Sequence, residues 1–409
     1  MSRRILALAS LTAFVAVACG AVGGASPGAS SPAELTPDSS AAPSPDGSPG
    51  GTDHPALGTL RVSTSGWATD FSQASVDLGD FLGGGPGKDG IPSIDRPLFE
   101  SIDAARSWLS DRSPVISLTI RSEARAYPLA ILIWHEIVND AVGGTPIVVT
   151  FCPLCNTGLA FERTVDGVIH DFGTTGNLRY SDLVMYDRQT ESWWQQVTGT
   201  AIVGTLTGTQ LRFLPAQIIA LGDFATAYPD GRVLSRNTGQ PRDYGRNPYA
   251  GYDSVDDPFL FDGVLDGRLS PMERVVTIGV GTAAVGFPFS ELRKVGVATS
   301  TLDGEPIAVF WTPGTASALD QSSIDDGRDI GASGVFRPIA NGRQLTFARA
   351  SAEESSAIVD RETGSTWSVT GLAIAGSLAG SQLEPVAHGD HFWFAWAAFE
   401  PDTTIWQAP

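Results

Sequence analysis

Two cysteines three residues apart are the side chains of this sequence best suited to chemistry. Cys152 and Cys155 lie in the motif Phe151-Cys-Pro-Leu-Cys155, and the chain has 3 cysteines in all. Thiols at this spacing can close a local disulfide, exchange electrons as a dithiol, or give two thiolate ligands to a metal ion. Soft sulfur ligands favour Cu(I) or Zn(II). The motif therefore predicts a site and leaves three interpretations open.

An internal duplication keeps this motif in its first copy only. Nine residues within 198–211 recur, each 172 positions later, within 370–383. The flanking residues align as well, among them the dipeptides Asp187-Arg188 and Asp360-Arg361. Two copies are too few for a solenoid, which needs three or more to bury a continuous core. We predict two degenerate repeats, residues 113–236 and 273–409, packed as one pseudo-symmetric globular unit.

The duplication also suggests further ligands, because it shows which soft groups the second copy lacks. The aligned pairs are Cys152 with Thr312, Cys155 with Thr315, His135 with Val295, and Met185 with Ile358. A set made of Cys152, Cys155, His135 and Met185 suits a thiophilic ion, copper before zinc. Met185 is the weakest member, because a single methionine is commonly a core residue. His170, in a turn-like region, is a substitute ligand.

The pattern around these residues predicts a mainly β protein, a β-rich α+β fold. Short apolar or alternating runs predict strands at 115–120, 146–151, 158–161, 183–186 and 201–203. An Asp-Gly hairpin turn is expected at 165–168. Helices are predicted at 101–110 and 128–139. The cysteines then lie in a loop between two strands, which argues against the helix N-terminus of a thioredoxin-like dithiol.

The N-terminus predicts export and a lipid anchor. Residues 1–19 carry two arginines, an apolar run and the tetrapeptide Ala16-Val-Ala-Cys19, as in a lipoprotein signal in which Cys19 is acylated. Residues 20–56 are rich in Ser, Pro and Gly and predict a disordered tether. The expected partner is therefore the outer face of the cell membrane. The sequence identifies no protein partner.

The globular part has two further segments besides the two repeats. Residues 57–112 form its N-terminal segment, and residues 237–272 form a polar and aromatic connector between the copies. The formal net charge of −19 opposes contact with polyanions, so no nucleic acid partner is expected. The chain has no phosphate loop and no Gly-x-Ser-x-Gly elbow. Whether it is an enzyme stays open.

Several motifs together resemble a known family. They are His135-Glu-Ile-Val-Asn-Asp140, Cys152-Pro-Leu-Cys155, Phe172-Gly-x-x-Gly176, Met185-Tyr-Asp-Arg188, Trp194-x-x-x-Thr-Gly199 and Arg242-Asp-Tyr-Gly-x-Asn-Pro-Tyr249. From about residue 90 onward this set resembles domain-of-unknown-function family 3179. The resemblance implies no established activity, so the function must be argued from the residues.

Metal binding at Cys152 and Cys155 with His135 is the function that the sequence favours, copper before zinc. The first alternative is a thiol–disulfide redox protein that uses the same two cysteines. The second is a non-catalytic binding module in which the pair forms a structural disulfide.

Overall fold

β-Strands dominate the computed structural model, which describes residues 60–279, 283–350 and 357–409. This confirms the mainly β fold class expected from the sequence. Cys19, the signal segment and the tether lie outside the described residues. Within the described ranges, no helix is long and apolar enough to cross a membrane.

The first half, together with the segment that precedes it, contains sixteen strands and three α-helices among its described residues. The strands are β1 Phe81–Gly83, β2 Phe99–Ser101, β3 Pro114–Ile120, β4 Glu123–Pro128, β5 Ile137–Val142, β6 Thr145–Cys152, β7 Thr157–Glu162, β8 Thr164–Val165, β9 Val168–Ile169, β10 Phe172–Arg179, β11 Asp182–Asp187, β12 Trp193–Gln195, β13 Thr200–Val203, β14 Arg212–Leu214, β15 Ala216–Ala220 and β16 Arg232–Leu234. The helices are α1 Ile102–Ala105, α2 Leu129–His135 and α3 Leu221–Ala227.

The connector holds one short 3-10 helix, Tyr252–Ser254, and the second half follows it. Its described strands are β17 Arg274–Ile278, β18 Val285–Pro288, β19 Val297–Leu302, β20 Glu305–Thr312, β21 Ala332–Arg337, β22 Ile339–Ala340, β23 Arg343–Gln344, β24 Phe347–Arg349, β25 Ile358–Asp360, β26 Thr366–Trp367, β27 Ala373–Ala375, β28 Glu384–Pro385, β29 Gly389–Phe392 and β30 Thr404–Ile405. Its helices are α4 Phe289–Val295 and α5 Trp393–Phe399.

The strand order of the first half recurs in the second. One sheet runs β15-β3-β4-β16-β2, and its counterpart runs β29-β17-β18-β30. The sheet β14-β7-β6-β5 corresponds to β28-β21-β20-β19, and the run β10-β11-β12-β13 corresponds to β24-β25-β26-β27. Each of these two sheets contains one parallel pair at the same place in the order, β4 with β16 and β18 with β30. The two halves therefore share one sheet layout.

The same aspartate–tryptophan hydrogen bond occurs in both halves, which gives a structural reason for the aligned aspartates and tryptophans. Trp194 Nε1 donates to Asp187 Oδ2 at 3.0 Å, and Trp367 Nε1 donates to Asp360 Oδ2 at 2.9 Å. Each aspartate also accepts a hydrogen bond from the backbone N–H of the threonine three residues later, at 2.7 and 2.6 Å. Each carboxylate thus fixes a tight turn and holds a buried indole.

The second predicted helix, 128–139, is shorter than expected. Helix α2 ends at His135, because Glu136 adopts a φ of 58° and leaves the helical conformation. The β-branched residues Ile137 and Val138 then begin β5, which pairs with β6. The spacing of apolar residues predicted one continuous helical face. In the structure its last part is a buried strand, because a short apolar run fits a buried helix and a buried strand equally well.

The first predicted helix, 101–110, is also too long. Ser101 caps its start by accepting a hydrogen bond from Ala104 N at 3.2 Å, and regular α-helix ends at Ala105. Farther on, Ser110 N donates to Ser113 Oγ at 2.8 Å, so the serines stabilise a turn that leads into β3.

The largest hydrophobic core joins the halves. It contains both cysteines and most apolar residues of the first half, and it extends to Phe392, Phe394 and Ala395 of the second. Two smaller clusters fill the second half. The cysteine motif therefore lies inside a core to which both halves contribute.

Candidate functional site

A tight β-hairpin loop positions the two cysteines. Cys152 ends β6 and Thr157 begins β7, and the two residues are partners in the ladder. Asn156 closes the loop with a φ of 51°, a left-handed conformation that asparagine tolerates better than most residues. A strand follows the motif, as the sequence predicted. The dithiol therefore lacks the helix N-terminus that lowers a thiol pKa in thioredoxin-like sites.

The two thiols face each other in the protein interior. Cys152 Sγ lies 3.0 Å from Cys155 Sγ, and both cysteines are free and buried. Ser181 O lies 3.3 Å from Cys155 Sγ and 3.6 Å from Cys152 Sγ. Two thiolates on one tetrahedral metal at about 2.3 Å would stand about 3.8 Å apart. A disulfide would bring them to about 2.0 Å. The observed separation of 3.0 Å lies between these two values.

Asp182 joins the two sulfur atoms. One carboxylate oxygen of Asp182 and the two Sγ atoms all lie within 4.8 Å of one another. Asp182 Oδ2 accepts hydrogen bonds from Gln195 Nε2 at 2.5 Å and from Val197 N at 3.0 Å. Its Oδ1 is buried and has no hydrogen-bond partner among the described residues. Burial raises the pKa of Asp182 to about 6.

Glu136 brings a second carboxyl group to the same region. Its side chain is 8% exposed, and it makes no hydrogen bond to any described group. Burial, then the neighbouring Asp182, raises the pKa of Glu136 to about 8. Its positive φ of 58° is strained for glutamate, and the equivalent residue of the second half is Gly296, with a φ of 74°. We call Cys152, Cys155, Asp182 and Glu136 the dithiol–carboxyl cluster.

The electrostatics of this cluster disfavour negative charge. Burial raises the pKa of Cys152, and burial together with the adjacent Cys152 thiol raises that of Cys155 well above its usual value. Burial and the charge of Glu136 also raise the pKa of Tyr249. Among the described residues, no lysine or arginine forms an ion pair with Glu136 or Asp182. The two thiols and Glu136 therefore hold their protons at neutral pH, whereas Asp182 is largely ionised there without a cationic partner among the described residues.

His135 lies next to Glu136 in the chain but outside this cluster. Its Nδ1 is 2.7 Å from Pro92 O, and its Nε2 is 2.7 Å from Tyr244 Oη. Since the Pro92 carbonyl can only accept, Nδ1 carries the proton and Nε2 accepts from the tyrosine. Both ring nitrogens are thus engaged, and they tie the end of α2 to the connector. As a metal ligand, His135 stays a prediction that would require the Tyr244 contact to break.

The remaining sequence-predicted ligands have other surroundings. Met185 is fully buried on β11, opposite Trp194 and Thr174 in the sheet, within the core that also contains the cysteines. His170 Nδ1 lies 3.0 Å from Asp187 Oδ1, on the carboxylate that holds Trp194. Met185 as a ligand also stays a prediction. Cys19, the predicted lipidation site, is outside the described residues.

Sequence reasoning missed both carboxyl groups of the cluster. For Glu136 a signal was available, because the alignment of the repeats places an acidic residue where the second copy has a glycine that ends a helix. Asp182 gives no such signal. It directly precedes the predicted strand 183–186, and only the packing of β11 beside the hairpin loop brings it to the thiols.

The connector and the second half close over the cluster. Phe392 N donates to Cys155 O at 2.8 Å, and Ser181 Oγ donates to Phe259 O at 2.6 Å. The Tyr252 ring packs against Phe392, with centroids 6.2 Å apart. Cys152 and Cys155 are consequently 2% and 0% exposed. Contacts from the connector and from the second half thus enclose the cysteine loop.

Fold and site define a mainly β protein with two halves of the same sheet order and one buried dithiol–carboxyl cluster. The chain belongs to the family described as Protein of unknown function (DUF3179), which matches residues 88–403. This confirms the resemblance seen in the motifs. No curated protein and no solved structure matches the chain. The family description names no activity, so a function has to be argued from the geometry of the cluster.

Proposed function

We propose that this protein binds a thiophilic metal ion at Cys152, Cys155 and Asp182. The observation that carries the proposal is a buried group of two thiols and a carboxylate, with donor atoms within 4.8 Å of one another. A buried cluster of acidic groups without a cationic partner is stable only when protonated or when a cation replaces the protons. Asp182 Oδ1 has no hydrogen-bond partner among the described residues, which supports binding of a cation at this oxygen. Export and anchoring through Cys19 remain predictions of the sequence.

Zinc fits the described donors better than copper does. The expectation of copper before zinc depended on an imidazole and a thioether beside the thiolates. A carboxylate stands near the sulfurs instead, and Zn(II) accepts carboxylate oxygen together with thiolate, whereas Cu(I) prefers soft ligands alone. Glu136, whose pKa is raised by burial and then by the neighbouring Asp182, would supply an oxygen as the fourth ligand, directly or through water. We therefore place Zn(II) first and Cu(I) second.

Elemental analysis of the purified full chain tests this proposal. We expect about one equivalent of zinc or copper per chain, and its near-complete loss in Cys152→Ser, because a hydroxyl is a poor ligand for either ion. Thr312→Ser is the matched control, since Thr312 is the aligned residue of the second half, and it should keep the metal. Asp182→Asn should weaken binding by about 100-fold, the scale seen when one anionic group of a metal site is lost.

Two results would contradict the metal proposal. One is a protein without metal after purification that also binds none when zinc or Cu(I) is added to the reduced thiols. The other is a Cys152→Ser variant that retains as much metal as the parent chain. Far-UV circular dichroism and the thermal unfolding midpoint show whether each variant is folded.

Glu136→Gly should separate stability from metal affinity. Glycine adopts the left-handed conformation without strain, and the change removes a buried carboxyl group, so the metal-free protein should gain about 1–2 kcal/mol in free energy of unfolding. Metal affinity should fall by about tenfold if Glu136 contributes charge or an oxygen ligand. Urea unfolding of the metal-free protein and a competitive chelator titration measure the two quantities. A destabilised variant with unchanged affinity would contradict both expectations.

Thiol–disulfide exchange is the second candidate function, and the 3.0 Å distance between the sulfur atoms favours it. Forming the disulfide removes two protons and two electrons, and a disulfide on a partner protein would accept them. Asp182, with its pKa raised to about 6, is placed to take a thiol proton. Thiol counting after equilibration in glutathione buffers separates the candidates. A defined reduction potential without bound metal would favour redox chemistry.

A further inference from the structure

A cavity lies between the two halves, separate from the dithiol–carboxyl cluster. Its volume is about 180 Å³, and neither cysteine lines it. Apolar side chains form most of its wall: Leu159, Val197 and Phe213 from the first half, with Ile278 and Trp396 from the second. We call this cavity the interhalf pocket. A dry apolar cavity of about 150 Å³ accommodates a benzene ring. The interhalf pocket therefore has room for one substituted ring.

Two histidines line the interhalf pocket together with Thr198, Thr277 and Glu400. His388 Nδ1 lies 2.8 Å from Val386 O, so it carries the proton and leaves Nε2 as an acceptor. Nε2 is buried and has no hydrogen-bond partner among the described residues. The whole residue is 6% exposed, so solvent reaches little of it. An unpaired buried acceptor costs free energy, which a ligand carrying a hydrogen-bond donor would recover.

His391 fixes the second polar edge. Its Nδ1 lies 2.8 Å from Thr157 Oγ1, and its ring stacks on Trp396 with centroids 5.0 Å apart and planes inclined by 22°. Nε2 of His391 makes no hydrogen bond to a described group. It lies against Gly389, where any Cβ would come within 2.1 Å of that nitrogen. The glycine thus keeps open the part of the wall where both imidazoles meet the pocket.

Both imidazoles are neutral, which limits the class of ligand. Burial lowers the pKa of His388 to about 4, and burial, then the neighbouring His388, lowers that of His391 to about 3. Among the described lining residues there is no lysine or arginine. The pocket consequently offers nothing that would offset the desolvation of an anionic ligand.

We propose that the interhalf pocket binds an uncharged aromatic ring compound that bears one hydroxyl or N–H donor, of the phenol or indole type. The donor group hydrogen-bonds to Nε2 of His388, and the ring packs among Leu159, Phe213 and Trp396. This is a binding site beyond the proposed metal function, and it depends on none of the metal ligands.

Titration of the full chain with phenol, observed by ligand NMR, tests the pocket. We expect a Kd below about 1 mM, a reasonable value for seven heavy atoms in a mostly apolar site. Benzene, which lacks the donor, should bind about tenfold more weakly, in line with one hydrogen bond to a buried acceptor. Benzoate should bind more weakly than phenol because its charge would be buried. Absence of phenol binding at millimolar concentrations would overturn the proposal.

Two variants locate the binding. His388→Phe keeps the ring but removes the acceptor, so it should abolish the preference for phenol over benzene. Thr198→Trp at the partly exposed edge should fill the pocket and abolish binding of both, and it serves if His388→Phe does not fold. Phenol binding that survives Thr198→Trp would also overturn the proposal. The Cys152→Ser chain should bind phenol like the parent chain, so failure of the metal proposal and failure of this one are distinguishable.

Discussion

Asp187→Ala should lower the free energy of unfolding by about 3–5 kcal/mol. The fully buried carboxylate accepts hydrogen bonds from Trp194 Nε1, from Thr190 N and from Thr190 Oγ1. His170 Nδ1 lies 3.0 Å away from it. Alanine would leave a buried indole N–H and a turn amide without partners, and each such group costs about 1–3 kcal/mol. Urea unfolding followed by tryptophan fluorescence measures the change.

Two other substitutions serve as controls for Asp187→Ala. Asp360→Ala removes the equivalent carboxylate, which also holds an indole and a threonine turn, so it should destabilise the protein to a similar but smaller extent because no histidine contacts it. Arg188→Ala breaks a partly exposed ion pair with Asp95 and should cost less than about 1 kcal/mol. A loss below 1 kcal/mol for Asp187→Ala would show that the turn re-forms without its carboxylate.

Asp390→Asn should stabilise the protein at pH 8 and leave its stability nearly unchanged at pH 4. Burial raises the pKa of Asp390 to about 7, while Ser333 Oγ donates to its Oδ1 at 2.7 Å and Arg274 lies nearby. In the unfolded chain the pKa is about 3.9, so between these values only the folded state holds the proton. Stability therefore falls as the pH rises from about 4 to 7, by about 4 kcal/mol in total.

The pH dependence of the difference between variant and parent isolates Asp390. The buried His388 and His391 have lowered pKa values, so they destabilise the fold as the pH falls below about 6.5, but they contribute equally to both proteins. Asparagine keeps an acceptor for Ser333. Denaturant unfolding at pH 4, 6 and 8 should show a gain that grows with pH. A gain independent of pH would mean that Asp390 is already ionised in the folded protein.

Local patterns were enough to locate the strands and the cysteine loop. The run 146–151 lies within β6, 158–161 within β7 and 183–186 within β11, because alternating or continuous apolar residues between turn signals depend only on neighbours in sequence. The Asp-Gly turn at 165–168 is also found, with Asp166 and Gly167 at φ values of 49° and 80°.

Contacts between distant residues account for what the sequence did not predict. Glu136 ends α2 in a left-handed conformation that helix propensity does not encode. His135 was expected beside the cysteines, yet its nitrogens meet Pro92 and Tyr244, which are remote from it in the chain. Asp182 reaches the thiols only because β11 packs beside the hairpin loop. Such pairings depend on sheet assembly, and a single sequence carries no direct signal for them.

The hydrogen bonds that hold the cysteine loop have a consequence for how the two halves can diverge. A half without the two cysteines could in principle change in sequence without any effect on their loop. Here the backbone of Phe392 and the side chain of His391 bind Cys155 O and Thr157 from the second half. The half without cysteines thus stabilises the cysteine loop of the other half. Substitutions in β29 therefore act on the cysteine loop as well, so the two halves cannot vary independently at this contact.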